Sequence, residues 1–309
     1  MRRIVGIVIF VIGVLLLCSN LLLKVKEIGL GFGIPVVLVG AAIFGLSFIP
    51  QPDPGPNAPP PLPPADRITR VFYEPEPVFK NLRYHPRWLA GFLVLALIGC
   101  VYTIASMQRL GPVKMANDYA DRVVAGGFVP PDKVDLFKTQ AVAEAEKQGV
   151  IPKIVGPLSG ISGFFLFMLI LAGLYMLCVM AFGGRINFFQ ALSVAVYSSL
   201  PPVVISTILS LILLYVKSPD DLEALRVQKG LARADLGLLL SATSHPYLYT
   251  IASFIGIFNL YGWWLSATGL RQSSEKLSAG SAWTIVFLIW FLGVFLSLIL
   301  AMIAPSFVG

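Results

Sequence analysis

The chain has 309 residues, of which 57% are hydrophobic and 13% are charged. Its charged fraction is about half that of an average soluble protein, in which about one quarter of the residues are charged. Its mean hydropathy is +0.82. This composition excludes a soluble enzyme and predicts an all-α integral membrane protein. The net charge of +7 is spread over several short loops, so it indicates contact with the lipid bilayer and its anionic headgroups, and no nucleic acid.

Seven apolar stretches contain no Asp, Glu, Lys, Arg or His and meet the roughly 20 residues that a membrane-spanning helix needs. We therefore predict about seven transmembrane helices, at 4–23, 28–49, 88–107, 158–182, 190–216, 246–270 and 281–304. Ion-coupled transporters generally carry ionisable residues inside their spans. The absence of such residues here favours a scaffold or a passive pore.

The first 66 residues divide into a transmembrane hairpin, 1–49, and a Pro-rich linker, 50–66. The turn 24–27 is tight, and the four-residue spacing of Gly29 with Gly33, and of Ala41 with Gly45, predicts close helix packing. Nine prolines between Pro50 and Pro64 predict an extended polyproline II segment. We expect this segment to be a semi-rigid spacer that leaves the hairpin a separable unit; the alternative is a ligand for a groove that binds Pro-rich peptides.

The remaining chain, 67–309, contains five predicted spans and an outer loop, 108–157. With a cytoplasmic N-terminus, the inner segments hold ten basic and five acidic residues, and the outer segments hold 13 basic and 11 acidic residues. The positive-inside bias favours this orientation. Loop 108–157 and the tail 304–309 then lie outside, and periodic apolar residues in the loop predict two short amphipathic helices.

Two prolines near the middle of the fifth span, Pro201 and Pro202, predict a helix break because they remove two backbone donors. Carbonyl groups freed at such a break line substrate or ion sites in transporters. They are equally well satisfied by nearby serine hydroxyls in a packing kink, so both interpretations stay open.

The residues just before the third span form a basic segment, 67–88, which combines apolar and positively charged side chains. Pro75 and Pro77 divide it, so we expect a short helix from about Pro77 to Arg83 lying along the inner membrane surface. Arg185 lies alone in the turn between the fourth and fifth spans and becomes relevant if that turn adjoins the basic segment. The candidate lipid-binding or partner-binding residues are Arg67, Arg70, Lys80, Arg83, Arg87 and Arg185.

No catalytic, cofactor-binding or metal site is predicted. The three cysteines lie inside apolar runs, and His85 and His245 each precede a proline at the start of a span. Asp118 and Asp121 are three residues apart, which predicts that they lie together on the solvent-exposed face of a helix. We therefore expect no enzymatic activity and no cofactor.

Several strings of the chain resemble bacterial proteins with a YIP-type domain, a five-helix membrane family related to the eukaryotic Ypt/Rab-interacting proteins. The strings are 67–82, 86–88, 182–185, 189–201, 236–240 and 258–264. The resemblance spans about 67–304 and implies five spans in the expected order. It leaves the hairpin and the Pro-rich linker outside.

The resemblance implies a multi-pass protein of the bacterial inner membrane. Eukaryotic members are implicated in vesicle trafficking, contact with small GTPases and membrane shaping. Their Asp-Leu-Tyr-Gly-Pro motif has no match here, because the nearest string, 259–262, lies inside a span; GTPase binding therefore does not carry over. We expect a non-enzymatic protein that organises the membrane or docks other membrane proteins, with a transporter or passive channel at Pro201-Pro202 as the alternative.

Overall fold

The computed structural model of the protein describes residues 2–23, 30–56, 58–147, 150–242, 244–304 and 306. Its α-helices are α1 (Arg2–Leu23), α2 (Leu30–Leu46), α3 (Pro64–Arg70), α4 (Pro75–Tyr84), α5 (Leu89–Ala125), α6 (Val134–Glu146), α7 (Val150–Ala181), α8 (Phe188–Val216), α9 (Ala224–Lys229), α10 (Pro246–Ser253), α11 (Ile257–Ser273) and α12 (Ala279–Ile303). Short 3₁₀ turns cover Pro131–Lys133, Pro219–Asp221 and Leu236–Leu239. Pairing of β type within the described residues is limited to two isolated bridges, Arg185 with Glu275 and Asp235 with Gly256.

Four of these helices are long and apolar enough to cross a bilayer: α5, α8, α12 and the part of α7 from Gly156 to Ala181. Two shorter apolar helices cover Arg3–Cys18 and Gly33–Leu46. Large apolar side chains stay exposed along the long helices, for example Leu97, Ile170 and Phe291, each more than 60% exposed. Such continuous apolar surface indicates that lipid covers these helices.

The sixth predicted span, 246–270, is not one helix. It is divided into α10 and α11 by a break at 254–256, and the prediction of seven continuous spans is wrong in this respect. The third predicted span continues beyond the apolar run as α5, with a non-helical residue at Gly111 (φ 75°). Its extension and α6 are the two helices expected in loop 108–157.

The predicted break at Pro201 and Pro202 is absent, because α8 is helical from Phe188 to Val216. Both prolines are buried. The hydroxyl groups of Ser198 and Ser199 both donate to the Ala195 carbonyl, at 3.3 and 2.8 Å. Proline has a φ close to the helical value, and burial on all sides holds this stretch in helical geometry.

The chain forms two compact units, each with its own core. The first comprises 1–100, 149–201 and 265–285, and its core includes a cluster of Trp88, Phe92 and Phe165 rings with centroids 5.3–6.0 Å apart. The second comprises 101–148, 202–264 and 286–309. Its buried apolar cluster is formed by Ala105, Leu110, Leu214, Leu222, Ala224 and Val227.

Within the first unit, α1 and α2 pack as the expected hairpin, and a Cβ atom at Gly33 would lie 2.5 Å from the Leu17 side chain, as predicted for Gly33. The closest backbone contacts involve other glycines. A Cβ atom at Gly6 or Gly13 would lie 2.6 Å from a backbone nitrogen of α2, and one at Gly40 would collide with the backbone of α1 at Phe10. Gly45 has open space around it, so the prediction for Ala41 and Gly45 is wrong there. Gly29 and the turn 24–27 lie outside the described residues, as does nearly all of the tail 304–309.

The Pro-rich linker, which its composition predicts to be a semi-rigid spacer, is hydrogen-bonded to α4. The Asn81 amide of α4 donates to the Pro60 carbonyl at 2.9 Å and accepts from the Leu62 N–H at 3.1 Å. His85 Nε2 lies 2.8 Å from the Pro59 carbonyl oxygen. These contacts fasten 59–62 to α4, and α2 also contacts α7.

Candidate functional site

The basic segment folds into α3 and α4, and prolines set where both helices start. Pro64 and Pro75 occupy the first positions of α3 and α4, where proline's missing N–H costs nothing. Helix α4 extends from Pro75 to Tyr84, slightly longer than the predicted Pro77–Arg83. Pro77 lies in its first turn and does not interrupt it.

The apolar face of the basic segment is buried in protein and does not lie on the membrane surface. Val71, Val78, Phe79 and Leu82 have no exposed surface. The Ser273 hydroxyl of α11 donates to the Phe79 carbonyl at 3.1 Å. The prediction of an interfacial helix is therefore corrected: α4 belongs to the helix bundle of the first unit and presents only its opposite side outward.

Arg67, a candidate surface residue, is 2% exposed. Its Nη1 donates to the Arg87 carbonyl at 3.0 Å, and the Tyr197 hydroxyl also donates to that carbonyl at 3.3 Å. Burial lowers the pKa of the Arg67 guanidinium; Tyr197 opposes this shift and Arg87 adds to it. Its Nε has no hydrogen-bond partner in the structure. Arg67 thus fixes the backbone at Arg87 and presents no charge outward.

Two further candidates are held in ion pairs. Arg70, the last residue of α3, pairs with Glu74, just before α4, at 2.6 Å, and Arg83 pairs with Glu275 at 2.9 Å across 192 positions of sequence. The Arg83–Glu275 pair is partly exposed, so its strength is modest. Its effect is positional, because it joins α4 to the turn between α11 and α12.

Glu275 brings Arg185 beside the basic segment, as the sequence analysis required for a role of this turn. The backbones of Arg185 and Glu275 pair in both directions, with N–H to carbonyl distances of 3.0 and 2.9 Å. Gly184 lies against Val179 and the Glu275 carbonyl, and a Cβ atom there would be 2.8 Å from Val179. The turn between α7 and α8 is therefore closely fitted to the turn between α11 and α12.

Three of the six predicted residues remain exposed: Lys80, Arg87 and Arg185. We call them the basic face. Arg271 and Lys276, from the end of α11 and the turn after it, are exposed as well. The backbone beneath the basic face is held by hydrogen bonds and buried side chains, so the positive charges project from a rigid support.

Two residues that stabilise this support, Asn187 and Gln190, were not predicted from the sequence. Asn187 and Gln190 form a capping box at the start of α8: Asn187 Oδ1 accepts from the Phe189 N–H at 2.9 Å, and Gln190 Oε1 accepts from the Asn187 N–H at 2.7 Å. Gln190 Nε2 also donates to the Arg83 carbonyl at 2.6 Å. An Asn followed by Gln three residues later, ahead of an apolar run, is the sequence signal of such a cap.

The two aspartates singled out in loop 108–157 differ in their surroundings, because Asp121 is exposed and Asp118 is partly buried. Asp121 pairs with Lys138 at 2.6 Å, and Asp118 accepts from the Ala224 N–H at 2.8 Å. The described residues contain no group of three or more His, Cys, Asp or Glu that could hold a metal ion.

These features define a helical, multi-pass integral membrane protein whose basic segment is folded into the bundle. The family model of the Yip1 domain matches residues 69–302. The chain therefore belongs to the Yip1 domain family, and the resemblance found in the sequence is confirmed. No curated protein and no solved structure matches the chain.

Proposed function

We propose that this protein is a non-enzymatic membrane scaffold of the Yip1 family that gathers anionic lipids through its basic face. The observation that carries the proposal is the exposure of Lys80, Arg87 and Arg185 above a support fixed by Asn81, Gln190 and Glu275. Charges on a rigid support bind without first having to be ordered. We assign this face to the cytoplasmic side, because the positive-inside bias favours that side and the cytoplasmic leaflet contains anionic lipid.

The packing around the two prolines of α8 supports a scaffold over a transport pathway at that point. The helix is continuous there, and Leu200, Pro201 and Pro202 are buried. In the same unit, α8 side chains approach glycines closely: a Cβ atom at Gly91 would lie 3.0 Å from Val196, and one at Gly269 would lie 2.8 Å from Val194. This is the close-packed interior expected of a structural bundle.

The experiment compares full-length variants reconstituted with mixed anionic and zwitterionic phospholipid. In the first variant, Lys80, Arg87 and Arg185 are replaced by Gln; in the control, Lys133, Lys147 and Lys217 are replaced by Gln. All six side chains are exposed, so the two variants change charge equally. Native mass spectrometry then counts the retained lipids of each class.

We expect the first variant to retain fewer anionic lipids than the wild type and the control to retain the wild-type number. A basic residue near an anionic surface contributes about 1 kcal/mol, which is roughly a five-fold preference per residue. Equal losses in both variants would show that only net charge matters. An unchanged preference in the first variant would contradict a lipid role and leave the face to acidic protein partners.

A further inference from the structure

The second unit contains a cavity of about 310 Å³, within the size range of small-ligand sites. Its walls come from the end of α9 and the loop after it, from Ser206 of α8, and from the region where α10 gives way to α11. The cavity is separate from the basic face in sequence and is formed by different residues.

Basic side chains dominate the wall. Arg226, Lys229 and Arg233 line the cavity together with a single acidic side chain, Asp235. The Arg233 guanidinium donates two hydrogen bonds to the Asp235 carboxylate, of 2.9 and 2.8 Å. The negative charge of Asp235 is therefore balanced by the positive charge of Arg233. Arg226 lies 3.5 Å from Glu223 and is more than half exposed, and Lys229 adds a further positive charge to the wall.

Lys229 lies among other cations. Its side chain is exposed; partial desolvation lowers the pKa of its ammonium group, and the positive charges of Arg233 and Arg122 lower this pKa further. A bound anion would offset both effects, since it would replace lost hydration and reduce the repulsion. The surroundings of Lys229 therefore favour an anionic ligand.

The wall is also a built structure. The backbone at Asp235 pairs with that at Gly256: Leu236 N–H donates to Ile255 and Ile257 N–H donates to Ala234, both at 3.0 Å. The Ser210 hydroxyl accepts from the Ala232 N–H at 2.9 Å, and Arg233 also donates to the Tyr249 hydroxyl. These contacts hold the loop 232–236 against the helix break.

At the helix break, the N-terminus of α11, which is the positive end of its helix dipole, lies at the cavity. On the α10 side, the Phe254 carbonyl accepts from Asn259 Nδ2 at 3.0 Å and the Ile255 carbonyl from Leu236. On the α11 side, Gly256, Phe258 and Asn259 line the cavity, and first-turn amides of a helix have no acceptor within it. The Ile257 N–H is already engaged by the Ala234 carbonyl, so the 17-residue helix α11 offers an anion its dipole and the amides of Phe258 and Asn259.

Apolar side chains adjoin these wall residues in the chain and remain exposed. They are Leu236, Leu238, Leu239, Leu248 and Ile257, each between 48% and 80% exposed. A polar, cationic cavity with apolar neighbours matches the division of a phospholipid into a headgroup and acyl chains.

We propose that this cavity binds a phosphate-bearing anion, held by Arg226, Lys229 and the backbone amides of Phe258 and Asn259. The ligand is either the headgroup of an anionic phospholipid or a soluble phosphate compound, and the two sources are distinguished by experiment. Apolar residues beside the cavity favour the lipid. The site goes beyond the proposed function because none of the residues of the basic face takes part in it.

The test uses full-length protein in detergent and measures binding by native mass spectrometry. The ligands are phosphatidylglycerol, phosphatidylcholine, glycerol 3-phosphate and inorganic phosphate. In the test variant, Arg226→Gln is combined with Lys229→Gln; in the control, Lys147→Gln is combined with Lys217→Gln. A Lys229→Arg variant keeps the charge and reports on folding.

We expect at least ten-fold weaker phosphatidylglycerol binding in the test variant and unchanged binding in the control and in Lys229→Arg. Binding of phosphatidylglycerol but not of glycerol 3-phosphate identifies a lipid site, and competition by glycerol 3-phosphate or inorganic phosphate identifies a soluble ligand. The proposal is overturned if no phosphate compound binds, if phosphatidylcholine binds equally well, or if the test variant binds like the wild type. These comparisons are made in protein whose Lys80, Arg87 and Arg185 are all replaced by Gln, so that the basic face contributes no binding. Failure of the cavity proposal is thereby separated from failure of the proposed function.

Discussion

The hydrogen bonds of Asn81 give the most direct prediction, because one amide hydrogen reports on them. From Pro59 to Pro64 every residue except Leu62 is a proline, so Leu62 provides the only backbone N–H in that stretch. This N–H donates to Asn81 Oδ1 at 3.1 Å, and Asn81 is 5% exposed. Replacing Asn81 by Ala removes that acceptor and the donor to Pro60.

The two lost hydrogen bonds stabilise the docked linker by about 1–3 kcal/mol in total. Each 1.4 kcal/mol is a factor of ten, so amide exchange at Leu62 should become roughly 5- to 140-fold faster. Hydrogen–deuterium exchange of a peptide covering 58–66 measures this rate. The control Asn117→Ala alters an exposed asparagine outside the linker and should change nothing; an unchanged rate in Asn81→Ala would refute the docking role.

Glycine substitutions test the two close helix contacts, each with a control on the same helix. Gly269→Ala should cost about 1–3 kcal/mol, because its Cβ would lie 2.8 Å from Val194; Gly262→Ala, whose Cβ has its nearest neighbour at 3.7 Å, should be neutral or stabilising by up to about 1 kcal/mol. Gly40→Ala should likewise destabilise the hairpin through a collision with Phe10, whereas Gly45→Ala should not. Thermal unfolding in detergent measures all four, and equal melting temperatures within a pair would contradict the packing.

Local signals in the sequence predicted part of this molecule well. Length and hydropathy predicted the long helices, and the prolines and apolar spacing of the basic segment predicted α4 to within two residues. Both signals depend only on neighbours in the chain. The basic face was half predicted: Lys80, Arg87 and Arg185 are exposed, whereas Arg67 is buried and hydrogen-bonded to the carbonyl of Arg87.

The remaining features depend on partners that are distant in sequence. Composition indicates that the Pro-rich linker is extended, but its docking depends on Asn81 and His85, about 20 residues further on. The burial of α4 depends on α11, which supplies Ser273. An amphipathic helix beside a membrane has the same apolar pattern whether lipid or protein covers it, so the pattern alone could not decide between them.

The position of the break between α10 and α11 also depends on a partner that is distant in sequence. Pro201 and Pro202 remove two donors from α8, yet α8 stays helical through both buried prolines. At Gly256 the helix is interrupted where the loop backbone at Ala234 and Leu236 supplies new partners. A Cβ atom at Gly256 would lie 2.8 Å from the Ala234 oxygen, so this pairing needs glycine. The break is therefore determined by a competing partner from elsewhere in the chain.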